Sequence, residues 1–284
     1  MNATSVQALF QMTRPVNVCI AAAAVLAGYA IDGGDASVMQ GIFGPLSAML
    51  ITAFANFDND LAHLAIDRVN RPTRPLPSAR VSIRIAIVVS LIVLMLGLLS
   101  AQLCGRAALV VSGAAAVWLA VYNRWGKRLP LVGNLMVALA GGLPLVYAGI
   151  IASPASGGWR PLWVGFALAA GFHFVREILK DVQDIEGDAR AGLVTLPLVL
   201  GKRWATRLAA GLLLLASILS TMPGILQWFN KIYLFGSLVL ILLPSSYGFL
   251  RLWANPVSAE AARWASLTKV MMACGLILLL AGTR

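Results

Sequence analysis

Nine apolar stretches, each near the length needed to cross a bilayer, follow one another along this chain and leave it few folds to choose from. They fall at roughly 16–31, 39–58, 84–103, 106–122, 130–152, 161–179, 205–222, 232–250 and 265–282, mostly separated by polar, Gly or Pro punctuation. A spanning helix needs ~20 mostly apolar residues. Hydrocarbon offers backbone N–H and C=O groups no partner, so each stretch must satisfy its own hydrogen bonds by coiling into a helix. Only 12% of the residues are charged, against about a quarter in an ordinary soluble domain. The expected fold is therefore an all-α integral membrane bundle of nine transmembrane helices, one polytopic domain over residues 1–284. The three cysteines, Cys19, Cys104 and Cys274, lie far apart in apolar runs and build neither a metal knuckle nor a disulfide framework.

The formal net charge is +11. In a soluble chain that excess points to nucleic acid; here membrane topology accounts for it. With the N-terminus in the cytoplasm, 18 of the 22 Lys and Arg residues fall in inside loops. Only Arg106, Arg160, Lys231 and Arg284 fall outside. Basic residues concentrate on the cytoplasmic side of membrane proteins. The expected arrangement is a multi-pass protein of the plasma (cell inner) membrane, N-terminus cytoplasmic and C-terminus outside, with no nucleic-acid partner and no obligatory protein partner.

Acidic residues are costly at a membrane and mark function when they occur there. Eight of the 11 fall in two clusters after the second and sixth apolar stretches. The first, NDLAHLAID, sets Asp60, His63 and Asp67 at i, i+3 and i+7. The second, DVQDIEGD, sets Asp181, Asp184 and Asp188 at the same spacing. On a helix those positions share one face. Crowded carboxylates repel each other unless divalent cations sit among them. Hard oxygen donors suit Mg²⁺, which keeps several waters and is commonly completed by substrate phosphate oxygens. Both clusters fall in the loops richest in Lys and Arg, which supply further phosphate ligands. A secondary transporter with acidic cation sites is the alternative from another class. Its signature is broken helices and inverted repeats at the membrane midplane, whereas these acids gather at one face.

At these residues the chain resembles the UbiA-type membrane prenyltransferases. Their first motif, N-D-x-x-D-x-x-x-D with a Pro- and Arg-rich tail, is matched by NDLAHLAIDRVNRPTRPLPS from Asn59 to Ser78. Their second, D-x-x-D-x-x-x-D, is matched within REILKDVQDIEGDARAGLVTLPLVLG from Arg176 to Gly201. RPVN at Arg14–Asn17 and the YNRWGK…GN stretch add to the likeness, which runs from Arg14 to about Gly201. The resemblance implies a helical bundle with a central cavity opening near the cytoplasmic side, Mg²⁺ as cofactor, and transfer of an allylic group from a prenyl diphosphate. The second-motif run most resembles the subgroup that prenylates geranylgeranylglyceryl phosphate. Aromatic prenyltransferases acting on quinone or chlorin precursors share a similar motif and are the alternative within the family.

Residue by residue, the resemblance makes Asp60, Asp67, Asp181, Asp184 and Asp188 the candidate catalytic metal ligands. Asn59, His63, Arg71, Arg74, Lys127, Arg176 and Lys180 become candidate diphosphate ligands. Tyr122, Asn134 and His173 are candidates for the acceptor cavity. One departure stands out: His63 occupies the family's middle Asp of the first motif, and a neutral imidazole is a poorer Mg²⁺ ligand than a carboxylate. Asp58 falls off the shared face, and Glu177 and Glu186 fall off the second one, where they are expected to pair with basic neighbours. Pro72, Pro75 and Pro77 are expected to hold the tail as an extended loop.

Overall fold

The computed structural model describes residues 3–32, 36–126, 129–152 and 159–283. Among them every regular element is helical. In chain order these are α1 (Ala3–Met12), α2 (Pro15–Asp32), α3 (Val38–Ala62), α4 (Leu64–Asn70), α5 (Ile83–Cys104), α6 (Arg106–Arg124) and α7 (Val132–Ala152). There follow α8 (Trp159–Arg190), α9 (Leu196–Leu200), α10 (Lys202–Ile225), α11 (Lys231–Ser237), α12 (Leu243–Ala254) and α13 (Ser258–Gly282). A π-helical turn at Leu238–Leu242 joins α11 to α12, so that Lys231–Ala254 runs as one span. Eight helices are long and apolar enough to cross a membrane, and nine if the pair Ser5–Met12 and Pro15–Ile31, bent by 46°, makes one span. The nine-span expectation agrees with that count.

The chain divides into two compact units. The first comprises residues 1–29, 33–126 and 144–156; the second comprises 30–32, 127–143 and 157–284.

Both units are built inside out relative to a soluble protein. Helix α5 buries Ala86, Ser90, Gly97, Ser100 and Ala101, and exposes Ile87, Val88, Leu91, Ile92, Met95 and Leu99. Lipid tails solvate leucine as well as protein does, so the interface goes to small residues that let backbones approach. A Cβ added at Gly97 would lie 3.1 Å from Leu50 and Ile51 side-chain atoms, which shows how tightly α5 lies on α3. In the second unit α10 repeats the pattern. It buries Ala205, Ala209, Ala210 and Ser217 and exposes Trp204, Leu208, Leu215 and Leu219.

Hydroxyls inside the helices return to their own backbone. Ser100 donates to the Leu96 carbonyl, Thr206 to Lys202 and Ser217 to Leu213, each at 2.8 Å, so these three hydroxyls do not face hydrocarbon unbonded. In the first unit Ser47, Ser112 and Tyr147 close a buried ring of hydroxyls at 2.9–3.1 Å, linking α3, α6 and the second half of α7.

Candidate active site

The first motif lies in the first unit, at the end of α3. The helix ends at Ala62 and restarts at Leu64, with His63 at the break (φ −107°, ψ 17°). The expected single helical face for Asp60, His63 and Asp67 is therefore interrupted at its middle position. Hydrogen bonds from the His63 N–H to the Asn59 carbonyl and from the Asp67 N–H to the His63 carbonyl carry the coil across the break. Asp60, His63 and Asp67 are all buried.

Arg74 draws the two aspartates together. Its Nη1 donates to Asp67 Oδ2 at 2.5 Å and reaches Asp60 Oδ1 at 3.5 Å. The Pro-rich tail that carries Arg74 is a series of tight turns rather than the expected extended loop. The Arg74 N–H donates to the Arg71 carbonyl, while the Ser78 N–H and Oγ both donate to the Arg74 carbonyl. Proline supplies φ near −65° for such turns and also removes donors that a longer helix would need. Leu76 and Val81 pin the tail into an apolar cluster with Ala8, Met12, Phe57 and Ala86. Arg71 closes α4, its N–H donating to the Asp67 carbonyl.

Three first-unit residues belong to this cluster that spacing alone did not nominate. Arg14 sits between α1 and α2 with a left-handed φ of 52°, a conformation that costs a non-glycine residue about 1 kcal/mol. Its Nη2 donates to Asp60 Oδ1 at 2.7 Å and to Asn59 Oδ1 at 3.0 Å. Asn123 on α6 accepts from Asn59 Nδ2 at 3.1 Å and donates to Asp58 Oδ2 at 2.9 Å. Arg124 grips both Asp58 oxygens, at 2.8 and 2.9 Å. Asp58 thus points away from Arg14 and Arg74, as its place off the 60/67 face required. Tyr122, a neighbour of Asn123 on α6, is half-buried. The RPVN stretch was the available signal for Arg14; Asn123 had none beyond its place in YNRWGK.

The second motif lies in the second unit, on the last turns of the unbroken α8. The helix stops where the sequence reads ARAG. Gly192 takes φ 65°, its N–H donates to the Ala189 carbonyl, and the Leu193 N–H reaches back to the Asp188 carbonyl. This is a Schellman closure, and the left-handed residue it needs is a glycine. Asp188 is thereby fixed in the final turn, 3% exposed. Asp181 accepts a 2.7 Å hydrogen bond from Asn134 Nδ2 on α7. Asn134, a candidate for the acceptor cavity, is a direct hydrogen-bond partner of the acidic motif. Asp184 lies between the two, half-buried.

Glu177 is buried and takes Arg176 at 2.9 Å and Lys180 at 2.8 Å, as its position off the aspartate face required. Arg176 and Lys180, two of the candidate diphosphate ligands, are thus held one turn before the motif by a carboxylate of their own. Glu186 is exposed. His173 packs on the bare backbone of Gly141, where a Cβ would collide with its ring. Lys127 lies outside the described residues.

Do these residues fit a divalent cation? Among the described residues no three His, Cys, Asp or Glu side chains form a ready-made cage. Mg²⁺ is bound by one or two carboxylates with water and phosphate oxygens supplying the rest, and Asp60 and Asp67, both buried, are drawn together by Arg74. Both motifs also lie at helix C-terminal ends, Asp60 two residues from the end of α3 and Asp188 two from the end of α8. The carbonyl end of a helix is negative, so carboxylates there are unfavourable until a cation joins them. The donor chemistry and the electrostatics both fit.

A helical fold of membrane-spanning length with two acidic motifs at helix ends, the first amid arginines, fits a membrane-embedded transferase that acts on a diphosphate. The chain belongs to the UbiA prenyltransferase family, whose model matches residues 20–276. It is 34% identical over 279 residues to a digeranylgeranylglyceryl phosphate synthase of Methanopyrus kandleri, covering 97% of this chain and 98% of the relative. Among solved structures, one described as a digeranylgeranylglyceryl phosphate synthase in membranes matches with a TM-score of 0.77 at 25% identity, covering 98% of each chain. A UbiA homologue from Archaeoglobus fulgidus, bound to GPP and Mg²⁺, matches with a TM-score of 0.69 at 21% identity, covering 96% of this chain and 99% of that one.

Proposed function

We propose that this prenyltransferase moves a geranylgeranyl group from its diphosphate to geranylgeranylglyceryl phosphate, forming an ether-linked lipid with Mg²⁺ as cofactor. The observation that carries the chemistry is the pairing of buried carboxylates with arginines: Asp60 and Asp67 with Arg14 and Arg74. Such a set offers a metal its oxygen ligands and a diphosphate its charge partners. The acceptor rests on the near full-length similarity to a synthase of that name.

In this reading Asp60, Asp67, Asp181, Asp184 and Asp188 hold Mg²⁺, each motif offering carboxylate oxygens to a metal that a diphosphate completes. When bound, the metal neutralises the charge that develops on the leaving diphosphate. Arg14, Arg74 and Asn59 take the remaining phosphate oxygens, joined by His63, Arg71, Lys127, Arg176 and Lys180. Arg14 and Arg74 are already oriented by hydrogen bonds, so little reorganisation opposes bond cleavage. Asn134 orients Asp181 by donating to one of its oxygens, and that leaves the other free to ligate. Tyr122 and His173 line the acceptor side. Exclusion of water by the apolar helices protects the allylic cation from hydrolysis. All of this takes place on the cytoplasmic side, within a single domain over 1–284.

The test is a donor–acceptor screen on purified protein with product mass as the readout. Geranylgeranyl diphosphate with geranylgeranylglyceryl phosphate is expected to yield the diether product. Turnover of an aromatic acid alone would reject the lipid acceptor. Asp60→Ala and Asp184→Ala are each expected to lower the rate by at least 100-fold; undiminished transfer would reject the site while leaving the family intact.

A further inference from the structure

One end of the second unit carries a basic and aromatic cluster that the transfer reaction does not use. Four helix ends meet there. The end of α8 is tied to the start of α13, where Ser258 Oγ donates to the Val182 carbonyl at 3.1 Å. The end of α12 is tied to α13 by the Arg251–Glu260 ion pair. The start of α10 is tied to the end of α12, where Arg207 Nε donates to the Trp253 carbonyl at 3.4 Å. This is the end that holds Asp181, Asp184 and Asp188 on α8.

Arg207 is held between two indoles, 5.6 Å from the Trp204 ring and 4.9 Å from the Trp253 ring. Both rings are exposed, Trp204 at 61% and Trp253 at 44%. Lys202 and Arg203 flank Trp204 on α10, and Arg263 is exposed on α13. Glu260 is engaged by Arg251 and lies close to Arg263. Arg203 is exposed on α10, and Lys202 and Arg207 are half-buried beside it.

A positive-inside bias explains why cations sit at this end. It does not explain why a guanidinium is fixed between two exposed indoles, since bulk-solvated anchors need no such cradle. Tryptophan rings settle at the level of lipid headgroups. A guanidinium stacked on them gives up part of its hydration while keeping its N–H donors, and those donors match phosphate oxygens. Basic clusters beside spans attract anionic lipids at about 1 kcal/mol per cation.

We propose that Lys202, Arg203 and Arg207, framed by Trp204 and Trp253, form a binding site for the phosphate headgroup of an anionic membrane lipid. The site lies at the same end of the second unit as the second aspartate motif. It holds lipids of the chemistry that a phosphate-bearing lipid acceptor or product shares, in the leaflet where that motif acts. The lipid site itself stands whether or not the proposed acceptor is right.

The test uses the full chain in nanodiscs of mixed phosphatidylglycerol and phosphatidylcholine, with retained lipid counted by native mass spectrometry. The unaltered protein is expected to keep phosphatidylglycerol over phosphatidylcholine. Arg203→Gln with Arg207→Gln is expected to cut that preference by about 30-fold, what the loss of two such cations gives. A charge-matched control, Arg106→Gln with Lys231→Gln, changes two cations placed outside by the sequence and is expected to leave the preference unchanged. Thermal unfolding in detergent checks that both variants are folded. Equal retention by unaltered protein and the double variant would overturn the site, and equal loss in the control would reduce it to net charge. Displacement of the lipid by millimolar inorganic phosphate would overturn the assignment to a lipid. Trp204→Phe with Trp253→Phe keeps the ring framework and is expected to retain most of the preference; Trp204→Ala with Trp253→Ala is expected to lose it.

Discussion

Asp58 and Asp60, on either side of Asn59, differ in the job proposed for each, and burial alone does not separate them. Asp58 and Asp60 are each 6% exposed. Asp58 is gripped through both oxygens by Arg124 and bonded by Asn123; these three hydrogen bonds join α3 to α6. Asp60 shares its arginines with Asn59 and Asp67, on the face that Asp67 also occupies. Removing one partner of a buried, bidentate pair costs up to about 3–5 kcal/mol, less here because Arg124 is half exposed. Asp58→Ala is accordingly expected to lower the unfolding temperature by several degrees while leaving the Mg²⁺ concentration for half-maximal activity within two-fold. Asp60→Asn is expected to raise that concentration at least ten-fold with a smaller thermal shift. Thermal unfolding and a Mg²⁺ titration, run on both variants, check the pair; the reverse pattern would exchange the two roles.

Helical elements explain how much of the site could be read beforehand. Asp181, Asp184 and Asp188 share a face because α8 is unbroken, and a spacing rule suffices for an unbroken helix. The rule fails at His63, where α3 stops and α4 begins. Arg14 and Asn123 escape any local pattern, since they meet Asn59 over 45 and 64 residues of chain. The Pro-rich tail was mistaken for extended chain because proline permits both turn and extended conformations, and burial of Leu76 and Val81 decided between them. Two predictions follow at this scale. His63 opens α4 without a side-chain cap hydrogen bond, and Asp is a preferred residue there. His63→Asp also adds a carboxylate beside Asp60 and Asp67, so its thermal stability is expected to depend more steeply on Mg²⁺ than that of the unaltered protein. At Gly142 an added Cβ would lie 2.7 Å from the Phe166 carbonyl oxygen on α8, whereas at Gly141 its nearest neighbours are atoms of the His173 ring. A backbone cannot turn aside and a ring can. Gly142→Ala is expected to cost about 1–3 kcal/mol, and Gly141→Ala less, with most of the Gly141 loss recovered when His173→Ala is added. Gly113→Ala, in open space, serves as the control.

At the scale of the whole chain, hydropathy predicts spans well because hydrocarbon permits no other backbone solution, and the eight long helices with the bent α1–α2 pair agree with it. Orientation depends instead on where the cations lie, and this is where the last prediction belongs. If α1 and α2 make one span, the count is odd and the two termini lie on opposite sides; if α1 only rests on the surface, α2 alone has 18 residues with which to cross. Either way the Lys and Arg surplus around 68–84, 124–128, 176–207 and 251–269 is expected to draw those loops to the cytoplasm. On that proposal the short loops holding Arg106 and Arg160 are left outside. Single cysteines placed at Ser78 and at Thr283, in a variant lacking Cys19, Cys104 and Cys274, are expected to label oppositely in intact cells. Ser78, exposed in the tail of the first motif, is expected to react only after the membrane is permeabilised, and Thr283 before it. Labelling of both positions from one side would mean an even number of crossings between them, and would move one of the two proposed loops across the membrane.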